Sequence, residues 1–353
     1  MKWTKKFAVA ALAAAMALTV AGCGGGDKKA DQKVTLKMAT ALPSSHPLVK
    51  AMDVLKNKAN EKSKGSVTIQ IYPAGQLYND KNMNDAIISG GIDMGLNTVG
   101  RWATIVPAMD IFDVPFIFPS YEKVDKAIDS GLGEKLGGEL NVTNTARIDR
   151  TVPTILELMK KGVRPLIWAD YGFVQYANNK KLVKTPADFD GLKIRGYSKY
   201  SAETIKAMGA SSVTMGSSEV YMGIQRGTID GQTSGTTAMR DRKMYEVHKY
   251  LTVTNHASPE FIVAINEKSY SKLNADQKKA LDAAAIEVRD MIRANAKAED
   301  LKALADLKAK GMEVYEVPEN ELQAWRDATK PVWDLFVKEN GKFGQELIDI
   351  CTK

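Results

Sequence analysis

Apolar residues along this chain switch between a period of two and a period near 3.6, and the switches mark its elements. Residues 34–40 (VTLKMAT) alternate and predict a strand, while residues 47–62 place Leu48, Ala51, Met52, Leu55 and Ala59 on one helical face. Residues 66–72 (SVTIQIY) alternate strictly through Val67, Ile69 and Ile71. Residues 80–89 then predict a short helix stopped by Gly90-Gly91, and residues 92–98 a third strand. Residues 107–120 (PAMDIFDVPFIFPS) are apolar but carry three prolines, which predicts a buried extended connection and no helix interior or central strand. Helical pieces follow at 121–129 and 150–161, with strands at 164–168 and 171–177.

Residues 189–235 hold the densest punctuation. Residues 192–195 form an apolar-basic strand ending at Arg195, residues 199–208 a helix ended by Gly209, and residues 212–215 a strand. Ser217 is placed to cap a helix over 218–226, Gly227 to end it in the left-handed conformation, and residues 228–230 to start a further strand. Ligands of open α/β sheets bind off the carboxyl ends of strands, where Arg195 and the loop 230–235 fall.

A loose repeat links the two stretches. Ser66-Val67-Thr68 matches Ser212-Val213-Thr214, and Ser89-Gly90-Gly91-Ile92-Asp93 matches Arg226-Gly227-Thr228-Ile229-Asp230 in its helix, glycine, Ile-Asp order. Two similar α/β lobes facing one another produce such matches and place a ligand between them.

Strands are predicted again at 250–255 and 261–265. From 275 to 310 neither Gly nor Pro occurs, Asn274 and Gln277 fit a variant capping box, and Gly311 is a stop. Leu281, Ala285, Val288, Ile292, Leu301, Leu304 and Leu307 give this helix an apolar side. It spans about 54 Å at ~1.5 Å per residue, so it predicts a brace across two lobes. A coiled-coil dimer is the alternative, but the alanine-rich seam lacks clean heptads. Residues 312–317 predict a late strand and residues 319–340 terminal helices.

Composition adds compartment. The 353 residues suit about two domains, and 44% hydrophobic with 26% charged residues is ordinary for a globular chain. Basic Lys2, Lys5 and Lys6 precede an apolar run over 7–20 and then Ala21-Gly22-Cys23. Such a run is too short to span a bilayer but suits a secretory leader. Val20-Ala21-Gly22-Cys23 resembles a bacterial lipobox, which makes Cys23 a lipidated N-terminus; an ordinary signal peptide is the alternative. Gly24-Gly25-Gly26 and DKKADQK read as a tether. Removing the three leader lysines lowers the formal charge from +7 to about +4, dispersed, with no basic stripe for nucleic acid. The remaining cysteine, Cys351, has no partner in the mature chain, which excludes an internal disulfide framework.

With these elements in place the chain resembles the extracytoplasmic solute-binding proteins of tripartite ATP-independent periplasmic (TRAP) transporters, the DctP-like family. The likeness rests on GSVTIQIYPAGQL (65–77), SGGIDMG (89–95), VPFIFPSYEKVDK (114–126), KTPADFDGLKIR (184–195) and GSSEVYMGIQRGTIDGQ (216–232). It implies a periplasmic-binding-protein type II-like α/β fold, two lobes around a central cleft with a long helix spanning both. The implied division is a signal peptide over 1–22, a tether over 23–33, a first lobe near 34–168 and 252–290, and a second near 169–251 and 291–353.

The resemblance further implies an extracytoplasmic receptor, lipid-anchored through Cys23. It would close on a small organic acid and deliver it to a small and a large integral membrane subunit for ion-driven uptake. The arginine of the GLKIR-type motif, Arg195, becomes the carboxylate anchor, with a bidentate fork a lysine cannot copy. His46 in the first loop, and Asn97, Thr98 and Arg101 after the third strand, become contacts from the first lobe. For Arg101 the alternative is a surface charge beside Trp102.

Three departures from the family pattern stand out. Gly172-Phe173 is followed by Val174-Gln175 where relatives often carry a second arginine. Gly216-Ser217-Ser218 replaces a proline and an aromatic, and Ser234-Gly235 replaces Asn-Pro. Gln175, Ser217 and Ser234 are therefore further candidate contacts. The departures imply a pocket with less aromatic wall and less charge, suited to a monocarboxylate with hydroxyls or a bulkier acid. Arg101 is the residue able to restore a second positive contact.

Enzyme chemistry finds little support. The three histidines, His46, His248 and His256, lack metal-ligand spacing, and no GxGxxG after a strand, P-loop or GxSxG elbow occurs. No catalytic residue, metal or cofactor is assigned. A receptor of an ATP-driven importer shares the lobed architecture and is the alternative function.

Overall fold

The structure, a computed structural model, describes residues 32–127 and 160–353. The expected leader over 1–22, the lipidated Cys23, nearly all of the tether and all but the end of the helix at 150–161 lie outside these residues.

The first lobe is built on a five-stranded sheet of order β2-β1-β3-β10-β4. Its strands are β1 (Val34–Thr40), β2 (Val67–Tyr72), β3 (Met94–Thr98), β4 (Val163–Asp170) and β10 (Glu260–Asn266). β1 runs parallel to β2 and β3, and β10 runs antiparallel to β3 and β4. Helix α1 (Pro47–Lys62) buries Leu48, Val49, Ala51, Met52, Leu55 and Ala59, the face its spacing predicts. Burying each of the larger of these contributes about 1.5–3 kcal/mol.

The second lobe holds a six-stranded sheet of order β11-β9-β5-β8-β6-β7. It comprises β5 (Val174–Asn178), β6 (Lys193–Gly196), β7 (Ser211–Thr214), β8 (Gly231–Gly235), β9 (Tyr250–Ala257) and β11 (Glu313–Glu316). The chain crosses between the lobes from β4 to β5 and from β9 to β10. The crossings run side by side, since Asp170 pairs with Glu260 and Val174 with Ala257. β9 remains in the second sheet through Ala257, so the return to the first lobe comes at Ser258-Pro259, later than the expected position 252.

The internal repeat has a physical basis. In the first lobe the N–H of Lys37 donates to Asp93 at 2.9 Å; in the second the N–H of Lys193 donates to Asp230 at 2.9 Å. Each Ile-Asp turn thus ties a helix end to the neighbouring parallel strand, with Ile92 and Ile229 buried beneath it. This also corrects two strand starts. Ile92-Asp93 and residues 228–230 belong to the turns that close helices α2 (Met83–Ser89) and α6 (Val220–Gln225), and the strands begin after them. Gly90 and Gly227 adopt φ of 80° and 72°, which only glycine takes without strain.

Two further expectations change. Residues 107–113 are a buried 3-10 helix and not an extended connection, because Pro107 sits at its first position, where no backbone N–H is needed. Ser217 does not cap a helix: α6 starts at Val220 behind Glu219, and Ser217 bonds elsewhere.

The long helix is α9 (Ala275–Ala309), with Asn274 and Gln277 forming the reciprocal cap. Leu281, Ala285, Val288 and Ile292 join the first lobe's core, and Leu307 a core of the second. Leu301 is 60% exposed, against expectation, because the inward stripe runs through Asp300, Ala303 and Leu307. The Asp300 carboxylate accepts the hydroxyls of Tyr121 and Thr236 and the N–H of Phe173, joining brace, first lobe, crossing segment and second lobe. The terminal helix α10 (Leu322–Thr352), broken at Gly341, buries Cys351, whose thiol burial pushes up to about 12, an inert packing group. Among the described residues no helix is long and apolar enough to cross a membrane.

Candidate functional site

The carboxyl ends of strands from both sheets converge on one cavity. β1 leads to Ala41 and Leu42, β3 supplies Leu96, Asn97 and Thr98, β6 supplies Arg195 and leads to Tyr197, and β8 supplies Ser234. The crossing segments add Tyr171, Val174, Pro259 and Phe261. Its atom-free space, open side included, is about 490 Å³.

Arg195 is only 3% exposed, so the lobes are closed around it. Its Nε donates to the carbonyl of Met215 at 3.1 Å and its Nη1 to that of Thr233 at 3.4 Å, while Tyr197 lies 5.7 Å from the guanidinium, ring centre to carbon. Burial pulls its pKa down to about 10, against the opposing pull of Asp80, so it stays charged at neutral pH. Among the described residues Arg195 forms no ion pair with a carboxylate.

Asp80, between β2 and α2, is the carboxylate of the lining. Its Oδ2 accepts Nε and Nη2 of Arg101 at 3.1 and 2.8 Å, and its Oδ1 accepts the N–H and O–H of Ser217 at 3.0 and 3.1 Å. Burial works to raise its pKa, but Arg101, Arg195 and the Ser217 N–H outweigh burial and hold it below the ordinary carboxylate range. Arg101 is thus engaged by Asp80, donates also to the Met215 carbonyl at 3.3 Å, and lies behind the lining, not in it.

Asn97, Thr98, Ser217 and Ser234 line the cavity beside Arg195; His46 and Gln175 do not. The Nδ1 of His46 accepts the N–H of Leu48 at 3.1 Å, which assigns its proton to Nε2, 3.2 Å from the Thr237 hydroxyl. Burial first, then Arg242 and Arg240, keeps this ring neutral, and it stacks on Tyr171 at 5.6 Å. Gln175 faces away from Val174: its Oε1 accepts the N–H groups of Thr254 and Asn255, each at 2.9 Å, where the β5–β9 register slips.

The lining has aromatic and cationic members besides the departures singled out in the sequence. Tyr171, Tyr197 and Phe261 form an aromatic side, and Arg242 brings a second guanidinium. Tyr171 fits because Gly235 has no side chain: a Cβ there would stand 2.5 Å from its ring. Sequence reasoning missed Arg242 because Arg240-Asp241-Arg242-Lys243 reads as a solvated charge run. Only the phase of the preceding short helix distinguishes Arg242 within that run. Among the described residues no group of His, Cys, Asp and Glu could hold a metal ion.

The family model of the "Bacterial extracellular solute-binding protein, family 7" matches residues 38–151 and 153–340. The chain is 30% identical over 313 residues to the C4-dicarboxylate-binding periplasmic protein DctP of Rhodobacter capsulatus, covering 88% of each chain. It is 30% identical over 281 residues to the 2,3-diketo-L-gulonate-binding periplasmic protein YiaO of Escherichia coli, covering 79% of this chain and 80% of that one. A TRAP periplasmic solute binding protein from Sulfurospirillum deleyianum, solved with bound succinate, superposes with a TM-score of 0.80 at 25% identity, over 91% of this chain and 98% of that one.

Proposed function

This chain belongs to family 7 of the bacterial extracellular solute-binding proteins, and on that premise we propose that it captures a small carboxylate-bearing acid for a TRAP-type transporter. Arg195 carries the reading. A buried guanidinium without an ion-paired carboxylate among the described residues, at the carboxyl ends of strands in a cavity between two lobes, is a site for an anion. Its Nη2 has no protein acceptor among the described residues and is available to a carboxylate oxygen. Asn97, Thr98, Ser217 and Ser234 offer polar contacts around it, and the tyrosines offer a flat apolar wall. The relatives' named ligands, a C4-dicarboxylate and a keto sugar acid, are both carboxylates and support this class.

Capture works by closure. In the open form the second lobe presents Arg195, the acid binds there, and first-lobe groups complete the shell, so the ligand shifts the population toward the closed form. The closed form docks on the small and large membrane subunits, and an ion gradient drives uptake. Cys23 carries the lipid that holds the receptor at the outer face of the membrane, and Cys23→Ser would release it into the soluble fraction.

Thermal-shift screening against organic and sugar acids, followed by calorimetry, tests the reading, since binding stabilises the folded chain by mass action. Charge-assisted hydrogen bonds contribute about 1.5–3 kcal/mol each, so Arg195→Ala should weaken the best acid by roughly a hundredfold or more while leaving the fold intact. Unchanged affinity would overturn the assignment.

A further inference from the structure

Arg242 is the residue after helix α7 (Thr236–Asp241). Its neighbours in the charge run are accounted for: Arg240 pairs with Asp241 at 2.8 Å and Asp306 at 3.3 Å, and Lys243 is exposed. Arg242 instead turns into the cleft and lines the same cavity as Arg195. Its Nη2 donates to the Ala41 carbonyl at 3.0 Å and the Ser217 hydroxyl at 3.1 Å. Its Nε and Nη1 have no protein acceptor among the described residues, and it forms no ion pair there.

Charge bookkeeping then decides the matter. The acceptor positions of Asp80 are filled by Arg101 and Ser217, so this pair of charges cancels. Arg195 and Arg242 remain as two positive charges in a wall whose other members, Asp80 apart, are neutral, polar at Asn97, Thr98 and Ser234 and apolar at Leu42, Leu96 and Val174. One carboxylate neutralises one of them. The two also stand against different neighbours, Arg195 at Met215 and Thr233, Arg242 at Ala41 and Ser217, so they offer two separate points of attachment.

We propose that Arg242 determines specificity by binding a second anionic group of the ligand, at the Ala41–Ser217 side of the cavity, while Arg195 holds the first. This rests on the acid-capture reading above. Because Arg242 belongs to the second lobe and Ala41 to the first, its bond to Ala41 forms only when the cleft is shut, while its bond to Ser217 lies within the second lobe. The second anion is therefore read during closure.

The test compares acids matched in length that differ by one terminal carboxylate: succinate against butyrate, and glucarate against gluconate. Affinities are measured for the wild-type chain, Arg242→Gln, Arg242→Lys and Arg195→Ala, with ligand-free melting as the control for folding. Arg242→Gln should lose about tenfold more affinity for a diacid than for its monoacid partner, and Arg242→Lys should recover part of that difference by restoring charge. A residue that only clasps the lobes would lower both members of a pair equally, and that result overturns the proposal. Loss in Arg195→Ala with no change in Arg242→Gln also overturns it and leaves acid capture standing. Failure of all four acids to bind the wild-type chain would instead sink the acid-capture reading.

Discussion

Asp80 on the first lobe accepts two hydrogen bonds from Ser217 on the second, N–H at 3.0 Å and O–H at 3.1 Å, both on one carboxylate oxygen. Around this pair Lys81 reaches Glu219 at 3.1 Å, Arg101 the Met215 carbonyl at 3.3 Å, and His46 the Thr237 hydroxyl at 3.2 Å. Each of these bonds crosses the cleft. The closed arrangement therefore has bonds of its own, and the ligand adds to them.

Asp80→Ala removes the centre of this clasp and leaves Arg101 without its carboxylate. We expect the ligand-free chain to shift toward the open form, with a larger radius of gyration in solution scattering, and acid affinity to fall about tenfold. The same radius and the same affinity would count against the clasp. The pH dependence has a definite sign. A carboxylate held below its unfolded value, about 3.9, contributes fully above that value and is lost as pH falls through the folded one. The clasp therefore holds at neutral pH and releases only in acid.

Gly235→Ala tests how the aromatic wall is seated. The added methyl would stand 2.5 Å from Cε1 of Tyr171, and at φ −71° the backbone itself tolerates alanine, so the ring must give way. Tyr171 rests on His46 and Phe261, at 5.6 and 4.8 Å between ring centres, and its movement opens toward the cavity. We expect a loss of acid affinity of about tenfold or more with melting lowered by only a few degrees. Retained affinity would show that the wall does not shape the site.

The lobes, the brace and the placement of Arg195 at the cavity were legible because each depends on local pattern: alternation in VTIQIY, the glycine-free run to Gly311, an arginine at a strand's carboxyl end. Arg242, Asp80 and Tyr171 were not. Their roles come from pairs distant in sequence, such as Asp80 with Ser217 or Gly235 with Tyr171, which no periodicity records. Ser217 shows the difference plainly. Its residue type suits a helix cap, but Asp80 across the cleft is a charged acceptor, and the stronger partner takes it. Leu301 fails for a related reason: Asp300 is the better fit inward, because three donors converge there.

Glu260→Gln tests the paired crossing that joins the lobes. Glu260 and Asp170 face each other in register where β10 and β4 leave the first sheet. Burial, then the neighbouring Asp170, pushes the Glu260 carboxyl well above its ordinary range. Burial likewise raises Asp170 to about 6, against the pull of Arg293 from the brace, with Asp125 adding to the rise. Carboxyls with raised folded pKa values stabilise the fold fully below the unfolded value, and that contribution is lost as pH rises through the folded one. The pair's own contribution should therefore fall as pH climbs from about 4 through 6 and beyond, while the buried His46, His248 and His256, whose pKa values burial lowers, act in the opposite sense up to about 6.5. The buried Asp113, also raised to about 6 by burial, adds to the same window, so the glutamine variant removes only the crossing's share. The urea midpoint of Glu260→Gln relative to that of the wild-type chain should rise across pH 5, 6, 7 and 8, with the two curves diverging most at pH 8. Parallel curves would mean that Glu260 does not hold a proton in the folded chain in this pH range, and would overturn the prediction.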